Sequence, residues 1–133
     1  MKDRTEKARE FFKDDIYATE ATGIVIEEAK DNYARCSLVL DRRHKNANGQ
    51  VMGGVLFTLA DFAVAAALND GEGAPFVSLS ADIQFLRPAK GTVLTAETAV
   101  VKAGKTVCFM EAVITDDLGT KTAKLTGTWI KAG

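Results

Sequence analysis

A single apolar segment near the middle of the chain constrains the fold more than any other feature. From Val55 to Leu68 nearly every residue is apolar, and Thr58 and Asp61 interrupt the run. The length of this segment and its alanines favour a helix over a strand. Because apolar side chains surround almost its whole circumference, we expect a buried central helix, with a glycine C-terminus at Asn69-Asp70-Gly71.

Segments of alternating polarity on both sides of this helix predict β-strands. Two precede it, at residues 23–28 and 33–40, joined by a turn at residues 30–32, and four follow it, at residues 76–86, 92–102, 106–115 and 121–130. Charged residues with apolar positions at Ala8, Phe11 and Phe12 predict a short amphipathic helix at about residues 3–14. Hairpin connections imply an antiparallel sheet. We therefore expect one α+β domain over residues 1–133, in which the sheet wraps around the central helix.

Composition excludes several classes of function. Lys and Arg number 17 against 18 Asp and Glu, so a general electrostatic affinity for nucleic acid is not expected. No apolar run reaches the roughly 18 residues of a membrane span. The two cysteines, Cys36 and Cys108, are interpreted as buried thiols of a cytoplasmic protein. With one histidine and no Cys-x-x-Cys pair, we expect no structural zinc or other metal site.

Asp61 is the most informative residue of the sequence. It lies near the middle of the predicted helix among apolar neighbours, where a carboxylate loses solvation and needs compensation. It is too far from the start of the helix to cap it. Two interpretations follow: a structural carboxylate bonded to a neighbouring strand or subunit, or a functional acid.

A glycine pair, Gly53-Gly54, stands where the central helix begins. Glycines there leave backbone N–H groups unshielded, and the helix dipole adds positive charge, an arrangement that suits a developing oxyanion. The alternative is that the pair only permits a tight turn. Asp61 lies two helical turns further on, an axial distance of about 12 Å. A site that uses both groups is therefore better built from two subunits, with Gly53 from one and Asp61 from the other.

Other polar residues carry weaker signals. We interpret His44, the only histidine, as a loop residue that positions the polar segment before the helix. Asn46 and Asn48 are interpreted either as loop formers or as amides directed at a substrate. One helix cannot cover both faces of six strands, so apolar residues on the second face of the 106–115 strand suggest a subunit contact (Val107, Phe109 and Val113).

Residues 44–61 together resemble the signature of the hotdog-fold thioesterases, phenylacetic-acid-degradation type. That signature is Asn-x-x-Gly-x-x-His-Gly-Gly, followed by Asp eight residues after the first glycine of the pair. Asn46, Gly53 and Asp61 occupy its positions here. The segment Asp82-Ile83-Gln84-Phe85-Leu86-Arg87-Pro88-Ala89 and the order of elements are also similar to this family. The resemblance covers roughly residues 16–131 and implies the hotdog fold, an antiparallel sheet wrapped around a long central helix.

The resemblance implies an acyl-CoA thioesterase that hydrolyses a small or medium acyl- or aryl-acyl-CoA to the carboxylic acid and free CoA, without a cofactor. By the same resemblance Asp61 activates water or attacks the carbonyl, and the Gly53 N–H polarises that carbonyl. Asn46 orients water or the carbonyl, and Ser78 helps to hold the water. The family builds its sites across a dimer interface and commonly pairs dimers into tetramers.

Further residues are predicted to contact the substrate. Met52 and Gly54 flank Gly53 at the helix start, and basic residues near glycine turns are candidates for the CoA phosphates, in the order Arg87, Lys90 and Lys105; solvated turns are the alternative for the lysines. Met52 stands where the family usually has histidine, and methionine donates no strong hydrogen bond. Two other functions stay open: a non-catalytic CoA-ester-binding hotdog protein, which Met52 favours, and a hotdog hydratase or dehydratase.

Overall fold

The computed structural model describes residues 2–132. Two α-helices and six strands make up the fold: α1 (Thr5–Phe12), β1 (Val25–Lys30), β2 (Tyr33–Val39), α2 (Gly53–Leu68), β3 (Phe76–Phe85), β4 (Val93–Ala103), β5 (Val107–Asp116) and β6 (Lys121–Lys131). A π-helical turn, Tyr17–Thr22, follows α1, and a short 3₁₀ turn, Arg42–His44, precedes α2. No helix among the described residues is long and apolar enough to cross a membrane.

All six strands form one antiparallel sheet in the order β1-β2-β4-β5-β6-β3. The sheet curves around α2, and one hydrophobic core fills the space between them. On β5 the alternate residues predicted to share a face, from Cys108 to Ile114, are all buried against this core. Both cysteines are free and buried, as expected. The α+β architecture with a sheet wrapped around a central helix is thus confirmed.

The central helix is less buried than its sequence predicts. Eight of the sixteen residues of α2, among them Leu59, Ala60 and Ala63, are buried in the core, but one side of the helix is not covered by the sheet. We call this side the uncovered stripe of α2; it consists of partly or fully exposed residues at helical spacing (Gly54, Phe57, Thr58, Asp61 and Ala65). The sheet does not surround the helix, so this stripe lies at the surface of the chain.

Boundary predictions were wrong in two places. The first strand is Val25–Lys30 rather than 23–28, because Gly23 adopts a left-handed φ of 88° that ends the preceding π-helical turn. The turn to β2 is correspondingly shorter, with Asn32 at a φ of 62°. The N-terminal helix is confined to Thr5–Phe12, since Asp3 bonds the Thr5 N–H and the chain turns after Phe12.

The expected alternation along β3 is interrupted by a bulge. Ser78 pairs with Trp129, but Ser80 pairs with Thr128, so Leu79 is an extra residue on this strand. A bulge of this kind moves the residues before it to the opposite face. Ser78 therefore shares the helix-facing side with the buried Trp129, whereas unbroken alternation would place it on the outer face with Ser80.

Candidate active site

Asp61 projects from the uncovered stripe of α2 and is half-buried. Burial raises the pKa of its carboxyl group, and the negative charge of Asp15 raises it further. Asp15 comes close because Phe12 packs edge-to-face on Phe62, with ring centroids 5.2 Å apart, and draws the following segment over α2. A carboxylate with a raised pKa and access from solvent is suited to general-base chemistry.

The first turn of α2 presents two free backbone donors. The N–H groups of Gly53 and Gly54 have no acceptor within residues 2–132, and no side chain caps this end of the helix. The ring of Phe85 lies 3.0 Å from the position that a Cβ on Gly53 would occupy. Glycine thus lets the aromatic ring approach the helix start, while the unbonded amides and the helix dipole provide positive potential there.

The loop before α2 is held by hydrogen bonds from His44. This residue is 2% exposed. Its Nδ1 accepts the Asp41 N–H at 3.0 Å, and its Nε2 lies 2.7 Å from the Thr22 carbonyl oxygen, to which it donates. Because both ring nitrogens are engaged and buried, His44 positions the loop, as expected, and is unavailable for acid–base chemistry.

Asn46 shapes the same loop. Its Oδ1 accepts the N–H groups of Asn48, at 2.9 Å, and Gln50, at 3.1 Å. This is the loop-forming interpretation of the residue. The carbonyl side of the amide is thereby occupied, and Nδ2 is the atom of Asn46 that can donate to water or to a substrate carbonyl.

Met52 lies at the N-cap of α2 with its side chain 52% exposed. Its backbone is extended, with φ of −61° and ψ of 135°, and its N–H donates to the His44 carbonyl oxygen at 2.9 Å. The side chain is therefore outside the core and free to contact a ligand at the helix start.

A pocket of about 350 Å³ opens beside the start of α2. Its wall is mostly apolar and includes Gly53, Leu56 and Phe85, with Arg87 at one side. An apolar cavity that borders the unbonded Gly53 amide and a guanidinium fits an elongated ligand with an apolar part and an anionic part.

The three basic residues predicted for the CoA phosphates do not form one cluster. Arg87 and Lys90 share the loop after β3, whereas Lys105 lies in the turn between β4 and β5. That turn is next to the end of β6, because the Lys131 N–H donates to the Thr106 carbonyl oxygen. Phe85, beside Arg87, instead pairs with Ala123 near the start of β6. Lys105 therefore lies at the opposite end of the sheet from the other two residues in the same protomer.

Ser78 lies alongside the second half of α2, the half that contains Asp61, rather than near the start of the helix. The Asn69 side chain, just past the end of α2, exchanges two hydrogen bonds with the Phe76 backbone, and Phe85 covers Gly53. Consequently α2 and β3 run antiparallel. Ser78, two residues from Phe76, is alongside the second half of α2, and one protomer leaves Asp61 and Gly53 two turns apart.

Sequence reasoning missed three contributors to this site: Phe85, Asp15 and Asp116. Phe85 is part of the expected strand, but its contact with Gly53 depends on how β3 and α2 pack. Asp15 lies 46 positions before Asp61, and only the packing of Phe12 on Phe62 brings it close. The sequence Asp116-Asp117-Leu118-Gly119 predicts only a turn. It does not predict that the two acids accept hydrogen bonds from the loop that carries Arg87.

Comparison with known proteins identifies the family. Residues 48–123, more than half of the chain, match the model of the thioesterase superfamily. The chain belongs to the thioesterase superfamily. It is 33% identical over 95 residues to acyl-coenzyme A thioesterase 13 of Homo sapiens, across 70% of this chain and 68% of that protein.

Solved structures of this superfamily extend the similarity to almost the whole chain. The PaaI protein of the E. coli phenylacetic acid degradation operon superposes with a TM-score of 0.86 at 28% identity, over 97% of this chain and 96% of that one. A hypothetical thioesterase from Streptococcus pneumoniae, solved with coenzyme A, superposes with a TM-score of 0.81 at 28% identity, over 92% and 97%. The predicted family, the hotdog fold and the enzyme class are confirmed: this superfamily member is a thioester hydrolase.

Proposed function

We propose that this thioesterase hydrolyses small or medium acyl- or aryl-acyl-CoA thioesters to the carboxylic acid and free CoA. The observation that carries the proposal is the pairing of a half-buried carboxylate, Asp61, with unbonded amides at the start of the same helix. These are the groups that thioester hydrolysis requires: one to generate a nucleophile and one to stabilise the oxyanion. The relatives named for acyl-CoA thioesterase activity support the CoA ester as substrate.

In the proposed reaction Asp61 takes a proton from water as the water oxygen attacks the thioester carbonyl carbon; direct attack by the carboxylate is the alternative. The carbonyl oxygen becomes an oxyanion, which the Gly53 N–H stabilises together with the dipole of α2. The C–S bond then breaks, and the CoA thiolate leaves and receives the proton that Asp61 took from water, which returns Asp61 to its ionised form. Asn46 Nδ2 and Ser78, on the helix-facing side of β3, orient the water or the carbonyl.

We propose a homodimer as the smallest active unit. Within one protomer Asp61 and Gly53 are about 12 Å apart along α2, too far to act on one carbonyl. The outer edge of β3 has no strand partner among the described residues, and this strand exposes Val77 and Leu79, the latter to 64%. Pairing β3 with its copy would close this edge and bring a second protomer against the uncovered stripe of α2.

The CoA nucleotide is assigned to the basic end of the pocket. Arg87 borders the pocket, and Lys90 follows on the same loop. Lys105 reaches this region only from the partner, since antiparallel pairing of two β3 strands juxtaposes opposite ends of the two sheets. The acyl group is assigned to the helix start, where the half-exposed Met52 and Gly54 are accessible.

Two free cysteines and no disulfide favour a cytoplasmic location.

One observation favours a second function, a CoA-ester-binding protein without catalysis. Met52 replaces the histidine of the family signature and donates no strong hydrogen bond. A hydratase or dehydratase that relies on an active-site histidine is not favoured, because His44 is buried with both ring nitrogens bonded in the loop.

A panel of acyl-CoAs with detection of the released thiol tests the proposal. We expect turnover of small aliphatic and aryl-acyl esters and a loss of roughly 10²–10⁴-fold in the Asp61→Asn variant, the usual contribution of a positioned base. Asn is nearly isosteric with Asp, so binding of CoA esters should persist. Binding without thiol release by the wild-type protein would support the non-catalytic alternative, and turnover of the variant within threefold of wild type would remove Asp61 from the mechanism.

A further inference from the structure

The loop that carries Arg87 and Lys90 has no regular secondary structure, yet it is fixed to the turn between β5 and β6. The carboxylate of Asp116 accepts two bonds from the loop, the Lys90 N–H at 2.8 Å and the Gly91 N–H at 2.9 Å. Its other oxygen accepts the N–H groups of Leu118, at 3.0 Å, and Thr120, at 2.8 Å, in its own turn. One buried side chain thus ties two loops together.

This carboxylate is held in its ionised form. Burial alone would raise the pKa of Asp116, but the four amide hydrogen bonds outweigh burial and hold the pKa well below its usual range. The side chain therefore keeps all four acceptor interactions throughout the neutral and mildly acidic range.

The neighbouring Asp117 fixes the far end of the loop. Its Oδ1 accepts the Thr92 N–H at 2.8 Å and the Val93 N–H at 3.1 Å. A Cβ on Gly91 would lie 1.9 Å from this oxygen, so only glycine allows the carboxylate to approach so closely.

At its near end the loop is attached to the pocket wall. The Leu86 and Arg87 N–H groups both donate to the Thr122 carbonyl oxygen, at 2.8 and 3.4 Å, and Thr122 lines the pocket beside Arg87. Only Pro88 and Ala89 lie between Arg87 and Lys90, whose N–H donates to Asp116. The position of the Arg87 backbone is thus determined from both sides, although its side chain is exposed.

We propose that Asp116 is a positioning residue for CoA recognition: by anchoring the 86–92 loop it sets where Arg87 meets the CoA phosphates. This rests on the proposed function, and in particular on the assignment of the nucleotide to Arg87. Asp116 contacts no substrate; its effect on binding is exerted through Arg87.

The test compares two substrates with the same acyl group, a CoA thioester and the N-acetylcysteamine thioester, which lacks the nucleotide and phosphates. Asp116→Asn removes one acceptor oxygen and releases part of the loop. We expect KM for the CoA ester to rise about tenfold, as for loss of a charge-assisted phosphate contact, with kcat within about threefold. KM for the N-acetylcysteamine ester should not change.

Three further variants and a control make the result specific. Arg87→Ala should raise KM for the CoA ester by a similar factor. The double variant Arg87→Ala/Asp116→Asn should show no further rise in KM, because both substitutions remove the same interaction, that of Arg87 with the CoA phosphates. Gly91→Ala displaces Asp117 and provides the same comparison if Asp116→Asn does not fold. Asp3→Asn is the matched control: Asp3 also accepts a backbone N–H, that of Thr5 at 2.9 Å, but at the start of α1.

Additive effects in the double variant, equal rises in KM for both substrates, or an unchanged KM for the CoA ester would overturn the positioning role of Asp116. A different result would contradict the proposed function instead. If the wild-type enzyme shows the same KM for both substrates, the nucleotide contributes nothing to binding. If KM is lower for the CoA ester and Arg87→Ala leaves it unchanged, the nucleotide is bound elsewhere, whatever Asp116 does to the loop.

Discussion

At the scale of single residues, the role proposed for the carboxyl group of Asp61 predicts how the rate depends on pH. Its pKa is raised by burial and by the charge of Asp15. As a base it acts only when ionised, so kcat/KM should fall as the pH drops through this raised pKa. Asp15→Asn removes a negative charge and should move that fall to lower pH. Asp14→Asn, one residue away with the same change of charge, is the control. If the fall in kcat/KM at acidic pH moves equally in both variants, the effect is not specific to Asp15.

The same raised pKa predicts a gain in stability when the acid is removed. A carboxyl group whose folded-state pKa exceeds its unfolded value stabilises the fold when protonated, and loses that contribution as the pH rises through the folded-state pKa. At neutral pH the ionised Asp61 is therefore costly, and Asp61→Asn should raise Tm. The gain in Tm should decrease as the pH is lowered toward the ordinary carboxyl pKa of about 3.9. Thermal melts of both proteins over this pH range measure it, and a lower Tm at neutral pH would contradict the burial cost.

Met52 tests how the acyl group is bound. Its side chain is half exposed at the helix start, where it is available to an apolar ligand. We expect Met52→His to raise KM for longer acyl chains through loss of apolar contact, with little change for short ones. If the family histidine instead supplies a missing hydrogen bond, kcat would rise by about 5–30-fold, the equivalent of 1–2 kcal/mol. Measurement of kcat and KM separately across chain lengths distinguishes the two, and a KM change that is independent of chain length would reject the packing account.

At the scale of secondary-structure elements, the end of α2 is held by an arginine from the N-terminal segment. The buried Arg4 guanidinium donates to the Ala67 carbonyl oxygen at 2.9 Å and to the Ala66 carbonyl oxygen at 3.4 Å, and it also bonds the Lys30 carbonyl oxygen. Ion pairs to Asp31 and Asp70 add to these contacts. A cation that satisfies the last carbonyls of a helix also interacts favourably with its dipole.

Replacement of this arginine should loosen the end of the central helix. We expect Arg4→Ala to reduce the free energy of unfolding by about 2–4 kcal/mol, because buried carbonyls and a partly buried carboxylate lose their donor. Arg4→Lys should recover only part of this, since an ammonium group cannot reproduce the planar fork. Lys7→Ala is the control, because Lys7 makes exposed ion pairs with Glu72 and Asp70. Denaturant titrations that show equal losses for Arg4→Ala and Lys7→Ala would contradict a helix-end role.

Sequence patterns predicted the elements better than their contacts. The apolar run that ends at Leu68 and the β5 alternation around Met110 follow from local periodicity, and the structure agrees with them. The bulge at Leu79, which moves Ser78 to the helix-facing side, leaves no such local signal, because it is fixed by pairing with Trp129 on β6. Nor did the sequence indicate the function of Arg4, since its acceptors at the end of α2, the carbonyl groups of Ala66 and Ala67, lie more than 60 positions away.

At the scale of the whole molecule, a single chain contains the parts of the proposed site without bringing them together. Asp61 and Gly53 belong to one rigid helix, so no side-chain movement can join them. The uncovered stripe of α2 and the unpaired edge of β3 mark the surfaces that a second copy would cover. Sequence spacing predicted this separation, whereas strand order and the exposed edge came from the structure. Sedimentation should accordingly show no stable monomer at micromolar concentration, and an active monomer would contradict a shared site.

Complementation between two inactive variants tests the shared site most directly. One is Asp61→Asn. The other is Gly53→Pro, which removes the N–H proposed to bind the oxyanion. Proline suits the first helical position, and the extended Met52 backbone suits the residue before it. Gly53→Ala, which keeps the N–H while adding the same contact with Phe85, is its control.

If each site takes Asp61 from one protomer and Gly53 from the other, a mixed dimer contains one intact site. Equal co-expression of the two inactive variants should then restore about one quarter of wild-type thioesterase turnover, because half of the dimers are mixed and half of their sites are intact. If both groups of a site come from the same protomer, every site in the mixture carries a defect. Turnover no higher than that of the two separate variants would contradict the shared active site.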